Sequence, residues 1–107
     1  MTAREKLRKN GIHISTDLLR TIAQKYAIQE IDVFGSSIRP DMNAESDVDL
    51  LVTFESDAEI SLFDIMDLEA ELADLFGRTV DVVEAAALTN PVRRHRIMST
   101  KELLYAS

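Results

Sequence analysis

Apolar residues at Leu18, Leu19, Ile22, Ala23 and Tyr26 recur at the spacing that puts them on one helix face, and Ser15 or Thr16 before them offers an N-cap. This predicts a helix from about Thr16 to Tyr26, preceded by a charged, helical stretch from Thr2 to Asn10 and interrupted at Gly11. Ile31-Asp32-Val33-Phe34 is β-prone and stops at Gly35-Ser36-Ser37, a strand running into a turn, where a short helix from Ser36 to Arg39 can begin. Asp41 to Ser46 reads as loop. From Asp47 to Phe54 the chain first alternates and then becomes apolar on both faces, as a central strand does on entering a core from one wet end. Asp47 and Asp49 sit at that end.

From Ser61 to Phe76, Leu62, Ile65, Met66, Leu68, Leu72, Leu75 and Phe76 follow helical spacing, with Ser61 as cap and Gly77 at the C′ position. Phe63 and Met66 are assigned to its core side. Thr79 to Val83 reads as a third strand, and Pro91, at a first-turn position, opens a last helix running toward Met98. Strands interleaved with helices give an α/β domain with a small sheet of about three strands, too small for a doubly wound fold.

The length of 107 residues fits one domain, and 46% hydrophobic with 29% charged residues is ordinary for a chain that buries a core. With no cysteine, disulfide frameworks, thiolate zinc sites and cysteine nucleophiles drop out; a reducing compartment, the cytoplasm, is the expected location. No apolar run approaches the roughly 20 residues needed to span a bilayer, and the N-terminus lacks a signal-peptide core, so no membrane association is expected. The net charge is -7, and no Lys or Arg occurs between Arg39 and Arg78. Direct nucleic-acid binding, which needs basic surface, is disfavoured; metal ions or a basic protein partner suit the acidic middle better.

Asp47 and Asp49, two apart on a strand, project from one face about 6.6 Å apart along the chain. Like charges held there persist most easily around a cation, and hard oxygen donors without His or Cys point to Mg²⁺ or Mn²⁺. The alternative is a pair that stays wet at a strand start. Asp81 is the only polar residue of Val80-Asp81-Val82-Val83 and would be costly to bury unpaired. If its strand lies beside that of Asp47, three carboxylates could hold two metal ions about 3.5 to 4 Å apart, an arrangement suited to in-line displacement at phosphorus; otherwise it is an edge-strand residue facing solvent. Gly35-Ser36 can present backbone N–H groups and a hydroxyl to an anion, or be a common turn. Arg93-Arg94-His95-Arg96 is either a phosphate or partner contact or a solvated helix face, since consecutive helical residues point in different directions. His13 and His95 lack companions at metal-ligand spacing and take no catalytic role.

Phe34-Gly35-Ser36, ten residues, then Asp47-Val48-Asp49-Leu50-Leu51-Val52 closely resembles the Gly-Ser-x(10)-Asp-x-Asp signature of the DNA polymerase beta-like nucleotidyltransferase superfamily, and the size resembles its minimal members. The likeness runs from about Ser15 to the end, with Asp81 as third carboxylate and the Arg-rich helix closing the domain. It implies that superfamily's fold over residues 1–107, with 1–14 as a helical extension. It also implies Asp47, Asp49 and Asp81 as catalytic and metal-ligating residues, Gly35, Ser36 and Arg39 as nucleotide-binding residues, two Mg²⁺ ions or Mn²⁺, and ATP as substrate. Many minimal members read Gly-Ser-Arg-x-Arg-Gly, whereas this chain has Ser37 and Pro40 in a motif that keeps Arg39, and so lacks one bidentate guanidinium. Such members act as antitoxins beside HEPN ribonuclease toxins, some by attaching AMP to a toxin tyrosine. The resemblance therefore implies transfer of AMP to a HEPN partner, in a heteromeric complex or with a homodimer. The rivals are an inactive antitoxin that only covers its toxin and a small-molecule transferase of the aminoglycoside-modifying kind.

Overall fold

The computed structural model describes residues 1–43 and 46–107. Helix α1 (Ala3–Lys9) is capped by Thr2, and α2 (Thr16–Lys25) by Ser15, whose side chain accepts from the Leu18 N–H. Strand β1 (Ile28–Phe34) leads into a 3-10 turn at Gly35–Ile38. The loop read from Asp41 to Ser46 falls partly outside the described residues. Strand β2 (Val48–Phe54) and α3 (Leu62–Phe76) follow. The start of α3 carries a reciprocal capping box: the Ser61 hydroxyl accepts from the Asp64 N–H at 3.1 Å, and the Asp64 carboxylate accepts from the Ser61 N–H at 2.9 Å. Gly77, at φ 68°, ends the helix in the left-handed region that a Cβ disfavours. Strand β3 (Val80–Glu84), a 3-10 turn (Ala85–Ala87), α4 (Pro91–Thr100) and β4 (Glu102–Ala106) complete the chain.

The sheet order is β3-β2-β1-β4, with β2 and β3 parallel and the other two pairs antiparallel. It thus has four strands where three are expected from the pattern. The addition is β4, which follows a helix after one residue and pairs with β1 from Glu30↔Ala106 to Val33↔Glu102. Ion pairs hold the junction: Lys101 Nζ lies 3.2 Å from both Glu30 and the buried Asp32, and Lys6 lies 2.6 Å from Glu102.

Strand alternation sorts the two faces. Ile31, Val33, Val48, Leu50, Val52 and Val80 pack against Leu19 and Ala23 of α2 and Leu68, Leu72 and Phe76 of α3, with Ala3, Leu7 and Ile12 closing one end. Asp49 and Leu51 take the opposite face, where Leu51 packs with Leu88 and Ile97 beside Phe34 and Val83. Phe63 and Met66, assigned to the core from their spacing, are instead exposed, because Leu68, Leu72 and Phe76 already fill the inner stripe of α3. Among the described residues no helix is long and apolar enough to cross a membrane.

Candidate active site

Parallel pairing of β2 and β3 sets Asp49 directly against Asp81 in register, and Asp47 just precedes β2. Just ahead of Asp47, the Arg78 guanidinium donates to the Asn43 and Ser46 carbonyls at 3.2 Å each. Asp49 is half-buried, and burial, followed by the charges of Asp81 and Asp47, raises its carboxyl above the ordinary range while Arg93 pulls the other way. Asp81 corrects the burial argument made from its apolar neighbours: β3 is an edge strand, and Asp81 is exposed. Its link to the site is the register with Asp49. Among the described residues no three acidic or histidine side chains come close enough to hold a metal ion together, although Asp49 senses the charges of both Asp81 and Asp47. The donor chemistry, carboxylates at the start of β2 and on its neighbour β3 without sulfur or imidazole, is of the type that suits a hard divalent cation.

The turn after β1 is built against Asp49. Gly35 has φ +79°, and a Cβ placed there would lie 2.5 Å from the Asp49 carboxylate oxygen. The conformation favours glycine, a Cβ would have to push the Asp49 carboxylate aside, and the close approach brings the turn's backbone to the carboxylate at the start of β2. Gly35→Ala is therefore expected to cost about 1–3 kcal/mol in urea unfolding through the strained backbone. By displacing Asp49, the same variant should also lower the activity of the site about a hundredfold.

Asn10, the C-cap residue of α1, fastens the turn from behind: its amide nitrogen donates to the Ser37 carbonyl at 2.8 Å and the Arg39 carbonyl at 3.0 Å. Ser37 is fully buried, and its hydroxyl is without a partner among the described residues. Arg39 is exposed and lies 3.4 Å from Asp41.

Beside the turn lies a cavity of about 1010 Å³ that includes Gly35, Arg39, Lys9, Arg93 and Arg96 in its lining. Among the described residues Lys9, Arg93 and Arg96 form no ion pair. In a chain of charge -7, such a convergence of cations gives this cavity a local positive charge of the kind that attracts anions. Of the Arg-rich segment, then, Arg93 and Arg96 turn to the cavity, and the divergence of consecutive helical residues keeps the segment from acting as one patch. Lys9 and Asn10 of α1 are the site residues missed from sequence; only the fold brings that helix to the turn.

A family model described as "Polymerase beta, Nucleotidyltransferase" matches residues 17–107. The chain is 37% identical over 76 residues to the protein adenylyltransferase MntA of Thermococcus cleftensis, covering 70% of this chain and 74% of that one. Among solved structures it is similar to a toxin-antitoxin crystallised with AMP-PNP, at TM-score 0.69 and 18% identity, covering 85% of this chain and 73% of the other. It is also similar to a structure of a tri-AMPylated Shewanella oneidensis HEPN toxin in complex with MNT antitoxin, at TM-score 0.60 and 19% identity, covering 99% of this chain and 74% of the other. At those identities the solved structures speak for the fold.

Proposed function

This chain belongs to the polymerase beta nucleotidyltransferase family, and from that membership and the geometry above we propose that it transfers AMP from ATP to a hydroxyl, a tyrosine, of a partner HEPN toxin and so acts as its antitoxin. The observation that carries the chemistry is the placement of Asp49 between Asp81 in register and the Gly35 turn. Asp47, Asp49 and Asp81, which as they stand do not make one three-ligand site, would supply carboxylates to the divalent metal, Mg²⁺ in two copies or Mn²⁺, which when bound would neutralise charge on the reacting phosphate.

The remaining work falls to the chain's own residues. Gly35 and Ser36 hold the outer phosphates through backbone N–H groups and the Ser36 hydroxyl, and Arg39, Arg93 and Lys9 offset their charge. The acceptor oxygen attacks the α-phosphorus in line as the bond to the β-bridging oxygen breaks. Pyrophosphate leaves along the Arg39 side, and the hydroxyl proton passes through Asp81, which is exposed, to water.

The second reading, an antitoxin that only covers its toxin, gains from one observation: buried Ser37 stands where many minimal members carry an arginine, so the turn offers phosphates one cation fewer. Incubation with Mg²⁺, host lysate and ATP labelled at the α- or γ-phosphate decides between them. Transfer predicts a protein band with α-label only, absent when Asp47→Asn/Asp49→Asn replaces wild type. Neither label on a partner that still co-purifies overturns transfer in favour of covering.

A further inference from the structure

Helix α3 is apolar on two faces, and only one is used. Leu68, Leu72 and Phe76 enter the core, whereas Leu62, Phe63 and Met66 are 73%, 76% and 56% exposed and Ala70 is exposed one turn on. Positions 62, 66 and 70 are four apart and 63 and 66 three apart, so the four side chains form one continuous outward stripe. A single exposed Leu needs no explanation; a contiguous stripe holding Leu, Phe and Met is a mark of a protein interface.

The flanks identify its occupant. Asp67 and Asp74 are exposed along α3, and Asp57 and Glu59 precede it. Lys25 of α2 is engaged with Glu71 of α3 at 3.0 Å. A second copy of this chain docking symmetrically would set Asp67 and Asp74 against their own like charges. A surface with an apolar ridge bordered by Lys or Arg has no such conflict. Ala70 leaves room for a helix to approach closely, so the complementary shape is an amphipathic helix.

We infer that the outer stripe of α3, centred on Phe63 and Met66, is the docking face for a basic-flanked amphipathic helix of the partner protein. This rests on the reading above in taking the partner to be a protein. α3 covers the sheet face opposite Asp49, so docking there leaves the aspartates and the Gly35 turn open to a hydroxyl. Binding and chemistry occupy separate surfaces.

The test uses the full chain, a labelled Leu/Lys amphipathic helical peptide, and controls in which Leu becomes Ser or Lys becomes Glu. Wild type should bind the Leu/Lys peptide at least about tenfold more tightly than Phe63→Glu/Met66→Glu, and more tightly than either control. The variant is more acidic, so an association driven by charge alone would strengthen; equal or tighter binding by the variant overturns the inference. Wild type sedimenting as a dimer that the variant breaks overturns it in favour of a second copy. With the acceptor identified by α-label, the variant should raise the KM for that protein about tenfold while kcat and the KM for ATP hold; an unchanged acceptor KM overturns it. If wild type labels no protein, transfer fails while the peptide comparison still decides the docking face. The replaced side chains are exposed, so thermal unfolding should confirm an intact fold.

Discussion

Asp49→Asn is expected to reduce nucleotidyl transfer by at least about a thousandfold while leaving the fold as stable as wild type or slightly more so. Asn keeps the size and removes the charge. The carboxylate is half-buried beside Gly35 and raised by burial and by the charges of Asp81 and Asp47, so it is held at a cost to the folded state that the amide does not carry. Loss of activity with unchanged or raised melting temperature identifies a group kept for chemistry. A variant that loses stability along with activity would instead mark Asp49 as structural. Transfer of α-label and thermal unfolding on the same preparation separate the two outcomes.

The largest effect on stability is expected at Lys101→Met. Lys101 Nζ lies 3.2 Å from both Asp32, which is 2% exposed, and Glu30, at the point where α4 passes into β4. Its removal strands a buried carboxylate and frees the start of β4, costing about 3 kcal/mol, the low end of the range for breaking a buried pair. Asp32→Asn added to Lys101→Met should recover most of that loss, because the unpaired charge goes with it.

The pH dependence has a defined sign. Burial, then Glu30 beside it, pushes the Asp32 carboxyl up to about 6 from its ordinary 3.8. Proton uptake by Asp32 therefore favours the folded state: its contribution is complete below about 3.8 and lost as pH rises through about 6. Glu30 moves the opposite way, lowered chiefly by its hydrogen bond with Asp32, and its contribution is lost as pH falls. Without Lys101 the Asp32 carboxyl climbs further, so the penalty of Lys101→Met should be greatest near pH 7.5 and shrink toward pH 5 in urea titrations. A penalty independent of pH would mean that Lys101 acts only through packing.

Legibility followed the range of the interaction. The helix ends at Ser15 and Gly77 and the strand from Asp47 to Phe54 were readable because caps and periodicity act within a few residues. The segment ending in Leu103-Leu104-Tyr105 was not, because it has no turn before it and becomes a strand only by completing the open edge of β1. Phe63 and Met66 misled for the reverse reason: helical spacing marks apolar positions without saying how many of a helix's faces the core can take. Within the site, Gly35, Ser36, Asp47 and Asp49 stand in one short motif and Arg93 in a visible basic cluster, whereas Lys9 and Asn10 are distant in sequence and carry no mark of their own.

The sequence by itself determined the family, the turn and the aspartates, because backbone freedom at Gly35 and paired carboxylates at one strand end are local properties of a chain. Only the tertiary structure decided that Asp81 faces Asp49 across parallel strands, that α1 clasps the turn through Asn10, and that one face of α3 is left uncovered. Those outcomes depend on which elements become neighbours, and that is settled by the competition of all the apolar surfaces for one small core.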